Sequence, residues 1–151
     1  MPDGRHPMRR VLALIAFLFP SCALAAEAAS PEAVEQELRA CLLDSNRNAS
    51  CFQSTLAKYL PPKNEEVAKV ATQIDELMKK WLASDKVFAV HSINPVKTGD
   101  LFERRVFLLE DSSGALAVVQ FSAIRRLGKW YVLNFRFNST TDEVEKVLYA
   151  R

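Results

Sequence analysis

The sequence predicts an α+β fold, with N-terminal helices packed on one face of a curved four-stranded antiparallel meander and a short C-terminal helix. Three observations predict it. Apolar residues recur every three or four positions as far as Leu82. From Lys86 to Asn138 they alternate every second position. That alternating part is interrupted by short turn signals instead of the long crossovers a parallel sheet needs.

The elements follow in order. Ser30-Pro31-Glu32 starts the first helix: serine caps the free amides, proline suits the first helical position and glutamate suits the positive end. Val34, Leu38, Cys41 and Leu42 form its apolar stripe. A polar break, DSNRNAS, leads to a shorter helix with Phe52, Leu56, Tyr59 and Leu60, which Pro61-Pro62 stops. The third helix carries Val67, Val70, Ala71, Ile74, Leu77, Met78, Trp81 and Leu82, a stripe that reads as core.

Four strands are expected, at about Lys86–Ile93, Leu101–Glu110, Ala115–Leu127 and Trp130–Asn138. Asp111 to Gly114 (DSSG) is a turn, and Gly128-Lys129 is expected as a two-residue type II′ hairpin loop. Ser139 or Thr140 then caps the last helix, DEVEKVLYA.

The beginning of the chain reads differently. Arg9-Arg10 precedes VLALIAFLF, and SCALAA follows Pro20, which is the layout of a secretory signal peptide over residues 1–25 with cleavage near Ala25. The apolar run is too short for a membrane span. Phe19 and Pro20 are poor neighbours for lipid modification of Cys22. Residues 26–151 then form a single α+β domain, about 126 residues long, enough to bury a core. Removing residues 1–25 takes away Arg5, Arg9, Arg10 and Asp3, leaving 17 basic and 17 acidic side chains. A net charge of zero gives no general attraction to nucleic acid or to an anionic membrane. The expected location is the periplasm or the medium of a bacterium. Cys41 and Cys51 remain as an even pair in an oxidising compartment and are expected to form a disulfide, two buried thiols being the rival reading.

Strand register assigns the faces. With Glu110 opposite Ala115 and Leu127 opposite Trp130, the helix-covered face receives Leu101, Phe107, Leu109, Leu116, Val118, Ile124, Tyr131, Leu133, Phe135 and Phe137. Glu103 and Arg105 also fall on that side. The other face receives Phe121 between Arg104 and Arg136, with Arg125, Trp130 and Asn134 nearby. Two guanidinium groups beside one ring would suit a carboxylate or small anion, or would only cover the sheet with their stems. Arg104, Phe121, Arg125, Trp130, Asn134 and Arg136 are therefore the candidate ligand- or partner-binding residues.

The strand GKWYVLNFRF (Gly128 to Phe137), after a signal peptide and several helices, resembles small secreted bacterial proteins of the nuclear-transport-factor-2-like, cystatin-like superfamily. The resemblance spans roughly Ser30 to Asn138 and implies helices wrapping a curved sheet. Enzymes of that superfamily, such as ketosteroid isomerases, place an Asp or His base inside the sheet's cone. No residue here matches such a motif.

Other chemistry is tested residue by residue. Asp44, Asn46 and Asn48 begin like a calcium loop, but Ala49 and Thr55 stand where its glycine and bidentate glutamate belong. Asn48-Ala49-Ser50 and Asn138-Ser139-Thr140 match the glycosylation sequon, a common chance motif. His91 has no partner that sequence alone assigns, and there is no Gly-x-Ser-x-Gly elbow and no phosphate-cradling glycine loop. The expectation is a non-catalytic exported binding or protein-interaction module, without cofactor or metal, using the outer sheet face on a protein partner or in a homodimer. The alternative is a pocket for a small apolar or carboxylated molecule, with weak activity at most, lined by Glu103, Arg105, Gln120 and Tyr131.

Overall fold

The computed structural model describes residues 28–62 and 64–149. The expected signal peptide, residues 1–25, lies outside the described residues. Helix α1 (Pro31–Leu43) begins where the capping residues place it, with the Ser30 hydroxyl accepting the Ala33 amide at 3.1 Å. Its stripe, Val34, Leu38, Cys41 and Leu42, is buried. The polar break turns on Asp44, whose carboxylate accepts the Asn46 amide. One turn of π-helix (Phe52–Leu56) and one of 3-10 helix (Ala57–Tyr59) follow.

Those two turns are held from both ends of the sequence. Cys41 and Cys51 form a disulfide with 5.7 Å between their Cα atoms, which settles the thiol alternative. Asp75, buried in α2 (Glu65–Leu82), accepts the backbone amides of Phe52 and Gln53, both at 3.0 Å. A carboxylate from a distant helix thus caps the amides that open this segment. Burial pushes the Asp75 carboxyl up, and the two amides pull against that shift without cancelling it.

The sheet runs β1 (Val87–Ser92), β3 (Phe102–Asp111), β4 (Leu116–Arg126), β5 (Lys129–Asn138), all antiparallel neighbours. A short fifth strand, β2 (Val96–Thr98), also pairs with β3, so β1 and β2 share one edge of it. The expected α+β architecture is the observed one. Helices α1 and α2 and the turns between them cover the inner face, where Phe107, Leu109, Val119 and Phe121 are buried. Ring pairs fill the space: Phe107 with Phe121 at 6.0 Å, Phe52 with Phe135 at 6.0 Å and Trp81 with Phe137 at 5.8 Å.

Helix α3 (Thr141–Tyr149) goes to the opposite side. The Asn138 side chain accepts the Thr140 amide, and the Thr140 carbonyl accepts the Val144 amide. Val144 then packs on Leu108 and Val118, with Val147 beside them. Helix α3 thereby roofs the part of the outer face around Leu108 and Val118.

Two turns and one bulge depart from the expected register. The first hairpin pairs Glu110 with Leu116, not with Ala115. Its loop is Ser112 to Gly114, with Gly114 at φ +86° and the Asp111 amide bonded to the Ala115 carbonyl. The Asp111 carboxylate accepts the Ser113 amide and hydroxyl and the Ala115 amide at 2.7 to 2.9 Å. Burial would raise its pKa, but these bonds hold it below the usual value. A left-handed glycine closing a three-residue loop is a common hairpin solution, and it slips β4 by one position. Leu116, Val118 and Ile124 therefore face outward, while Ala117, Val119, Phe121 and Ala123 face the helices.

The second hairpin turns on Leu127-Gly128, at φ +51° and +80°, and pairs Arg126 with Lys129. Positive φ at both central residues is type I′, not the expected type II′. A bulge at Leu133 follows, since Ala123 pairs with Val132 but Ser122 with Asn134. Trp130 and Val132 consequently share the inner side with Phe135 and Phe137, and Tyr131 faces outward with Ile124.

Leu127 is fully exposed and held in a conformation that leucine disfavours. Leu127→Asn should therefore stabilise the domain, by roughly 0.5 to 1 kcal/mol. Urea unfolding would report it as a raised midpoint with an unchanged slope, and a lowered midpoint would contradict the turn assignment.

Candidate functional site

On the outer face the pairing lays out two short rows. Val96, Arg104, Ser122 and Asn134 cross the sheet in one, and Val106, Gln120 and Arg136 in the next. Toward the hairpin end lie Phe102, Ile124 and Tyr131, half-buried. Arg104, Asn134 and Arg136 are exposed, and among the described residues neither arginine makes an ion pair.

Between the β2 edge and α3 this face sinks into a trough of about 600 Å³. Val106 and Gln120 form its floor, Ile93 and Val96 one wall, and Val147 of α3 the other. Arg104 and Lys146 also line it. Lys146 is already paired with Glu143 on its own helix. Of the two cations in the trough, Arg104 is the one with no carboxylate among the described residues.

The inner face carries a different cluster. Arg105 is only 7% exposed and its guanidinium meets three carboxylates, Glu103 of β3 and Glu32 and Glu35 of α1. The Arg105 Nε to Glu103 bond is 2.6 Å. Lys97 of β2 stands 3.5 Å from Glu103, and the Ser92 hydroxyl donates to Glu35 at 2.7 Å. Burial alone would lower the Arg105 pKa, but the bonds to Glu35 and Glu103 hold it above the ordinary value. A backbone amide and the Arg105 charge keep Glu32 below the usual carboxylate range. The cluster fastens α1 to β3, and among the described residues no group of His, Cys, Asp or Glu is placed to hold a metal.

The six candidate residues do not form one site. Phe121 is in the inner core, fully buried and opposite Arg105 in the pairing, so it is not sandwiched by Arg104 and Arg136. The one-residue slip at Gly114 is the reason. Trp130 packs against the inner cluster, where its carbonyl accepts the Ala28 amide. Arg125 pairs with it at the end of the hairpin, away from the trough. Arg104, Asn134 and Arg136 remain together on the outer face.

The expected pocket lining changes as well. Glu103 and Arg105 are buried and paired inward, while Gln120 and Tyr131 point to the other side. Those four do not enclose one cavity. His91 faces outward near Glu110, with 3.2 Å between Nε2 and the carboxylate, and it is exposed. Register reasoning missed the trough because one wall belongs to α3, whose placement over Leu108 and Val118 has no local signal. Among the described residues no helix is long and apolar enough to cross a membrane.

No protein-family model and no curated protein sequence matches the chain. A search of solved structures finds a DUF4783 family protein from Bacteroides ovatus, a crystal structure 14% identical in sequence. The match covers 70% of this chain and 98% of that one, with a TM-score of 0.42.

Proposed function

We propose that this chain is an exported, non-catalytic binding module that works through the open half of its outer sheet face, within a secreted cystatin-like group. The carrying observation is an exposed face with Arg104 and Arg136 unpaired, among the described residues, beside an apolar trough. Arg105, by contrast, is neutralised by three glutamates, Lys58 by Glu37 and Lys79 by Glu76. Leaving two guanidinium groups exposed around Ser122, Gln120 and Asn134 provides donors for a partner's carboxylates. Export is supported by the basic-apolar-small pattern of residues 1–25 and by the Cys41–Cys51 disulfide.

Cross-linking tests this reading. A photoreactive residue in place of exposed Asn134 should join the chain to one discrete partner, or to a second copy, in the producing cell. The same residue in place of Gln73, exposed on α2, should not. Equal labelling from both positions, or none from Asn134, would remove the outer face as the binding surface.

A further inference from the structure

We propose, on the premise that the outer face is the binding surface, that its trough takes an amphipathic aliphatic carboxylate. The carboxylate would sit at Arg104 and the hydrocarbon on Val106 between the walls of Ile93, Val96 and Val147. Three observations carry this.

The volume comes first. About 600 Å³ lies within the range of small-ligand sites and exceeds what a ten-carbon chain occupies. The lining comes second. Four aliphatic side chains, Ile93, Val96, Val106 and Val147, make the walls and floor, and no acidic side chain lines the trough. A chain laid there removes apolar surface from water at roughly 25 cal/mol per Å².

Charge comes third. Arg104 sits beside Val96 across the β2–β3 pairing and has no carboxylate partner among the described residues. A ligand carboxylate would supply that partner, and the guanidinium fork binds such a group with two parallel hydrogen bonds. Gln120 on the floor and Asn94 at the rim offer amide donors to the same head group. A neutral apolar ligand would leave Arg104 unmatched, and an ammonium head group would be repelled by it.

Sodium decanoate, kept below its micelle concentration, is the probe, with decanol as the neutral arm of equal length. Amide shifts in the titrated chain should concentrate at Ile93 to Val96, Arg104 to Val106, Gln120 and Val147. Calorimetry should give decanol at least about tenfold weaker binding, the loss expected when a charged hydrogen-bonded pair is removed. Arg104→Gln should weaken decanoate by about tenfold and leave decanol unchanged, while Lys69→Gln on α2 changes neither. Arg104 is exposed, so its replacement leaves the fold intact, and an unchanged melting temperature verifies this. Equal binding of decanoate and decanol, insensitivity to Arg104→Gln, or no saturable binding each overturns the proposal. A positive cross-link at Asn134 with no decanoate binding overturns the ligand class alone. Failure of both removes the outer face itself.

Discussion

Arg105→Met should lower the stability of the domain by about 3 to 5 kcal/mol at pH 7, a drop of roughly 12 to 20 °C in melting temperature. Arg105 is the shared counter-ion of Glu32, Glu35 and Glu103, and the side chains of Glu35 and Glu103 are 15% and 5% exposed. Methionine fills much the same volume but leaves these carboxylates facing one another where β3 meets α1, with Lys97 alone to offset them. Buried charges stripped of a partner are far costlier than the intact pair is stabilising.

The effect carries a pH signature with a definite sign. In the wild type the depressed pKa of Glu32 contributes stability above its unfolded value, which is lost as pH falls through the folded one. In the variant the three carboxylates face one another without their shared counter-ion, a repulsion that is present at pH 7 and fades as acid neutralises them. The gap between wild type and variant should therefore narrow as pH drops from 7 toward 4. Adding Glu103→Leu to Arg105→Met should recover part of the loss. A cost under 1 kcal/mol at pH 7, or one equally large at pH 4.5, would show that the cluster does not hold α1 to the sheet.

The second large effect is expected at Phe121. Its ring is fully buried and stacked on Phe107, so Phe121→Ala should cost about 3 to 5 kcal/mol through lost burial and the cavity left behind. Ile124, on the same strand but on the outer face and half-buried, should cost no more than about 1.5 kcal/mol when replaced by alanine. Denaturant unfolding of the two variants compares the faces of one strand directly. The reverse order of costs would restore the register in which Phe121 lies between two arginines on an open surface.

That register was legible only in part, and the reason is physical. Alternation specifies a strand's faces when one of them is polar. Here β3 has Phe107 and Leu109 on one side with Val106 and Leu108 on the other, and β4 has Val119 and Phe121 against Leu116 and Val118. Both faces are apolar because helices cover both, α1 and α2 on one side and α3 on the other. The pattern alone therefore could not say which set goes inward. Phe135 and Phe137 came out on the expected side because the slip at Gly114 and the bulge at Leu133 cancel beyond that point. Trp130, ahead of the bulge, felt the slip alone.

The amino-acid sequence by itself determined the elements with strong local causes: the Ser30-Pro31 helix start, the apolar stripes of α1 and α2, the strands of the meander and the Cys41–Cys51 pair. Each follows from periodicity, capping or a cysteine count within a short stretch of chain. Only the tertiary structure decided the faces, the union of Arg105 with Glu32 and Glu35, the cap that Asp75 places on Phe52 and Gln53, and the trough walled by α3. These depend on how the chain returns to itself, where one residue more in a loop moves every side chain of a strand to the other side.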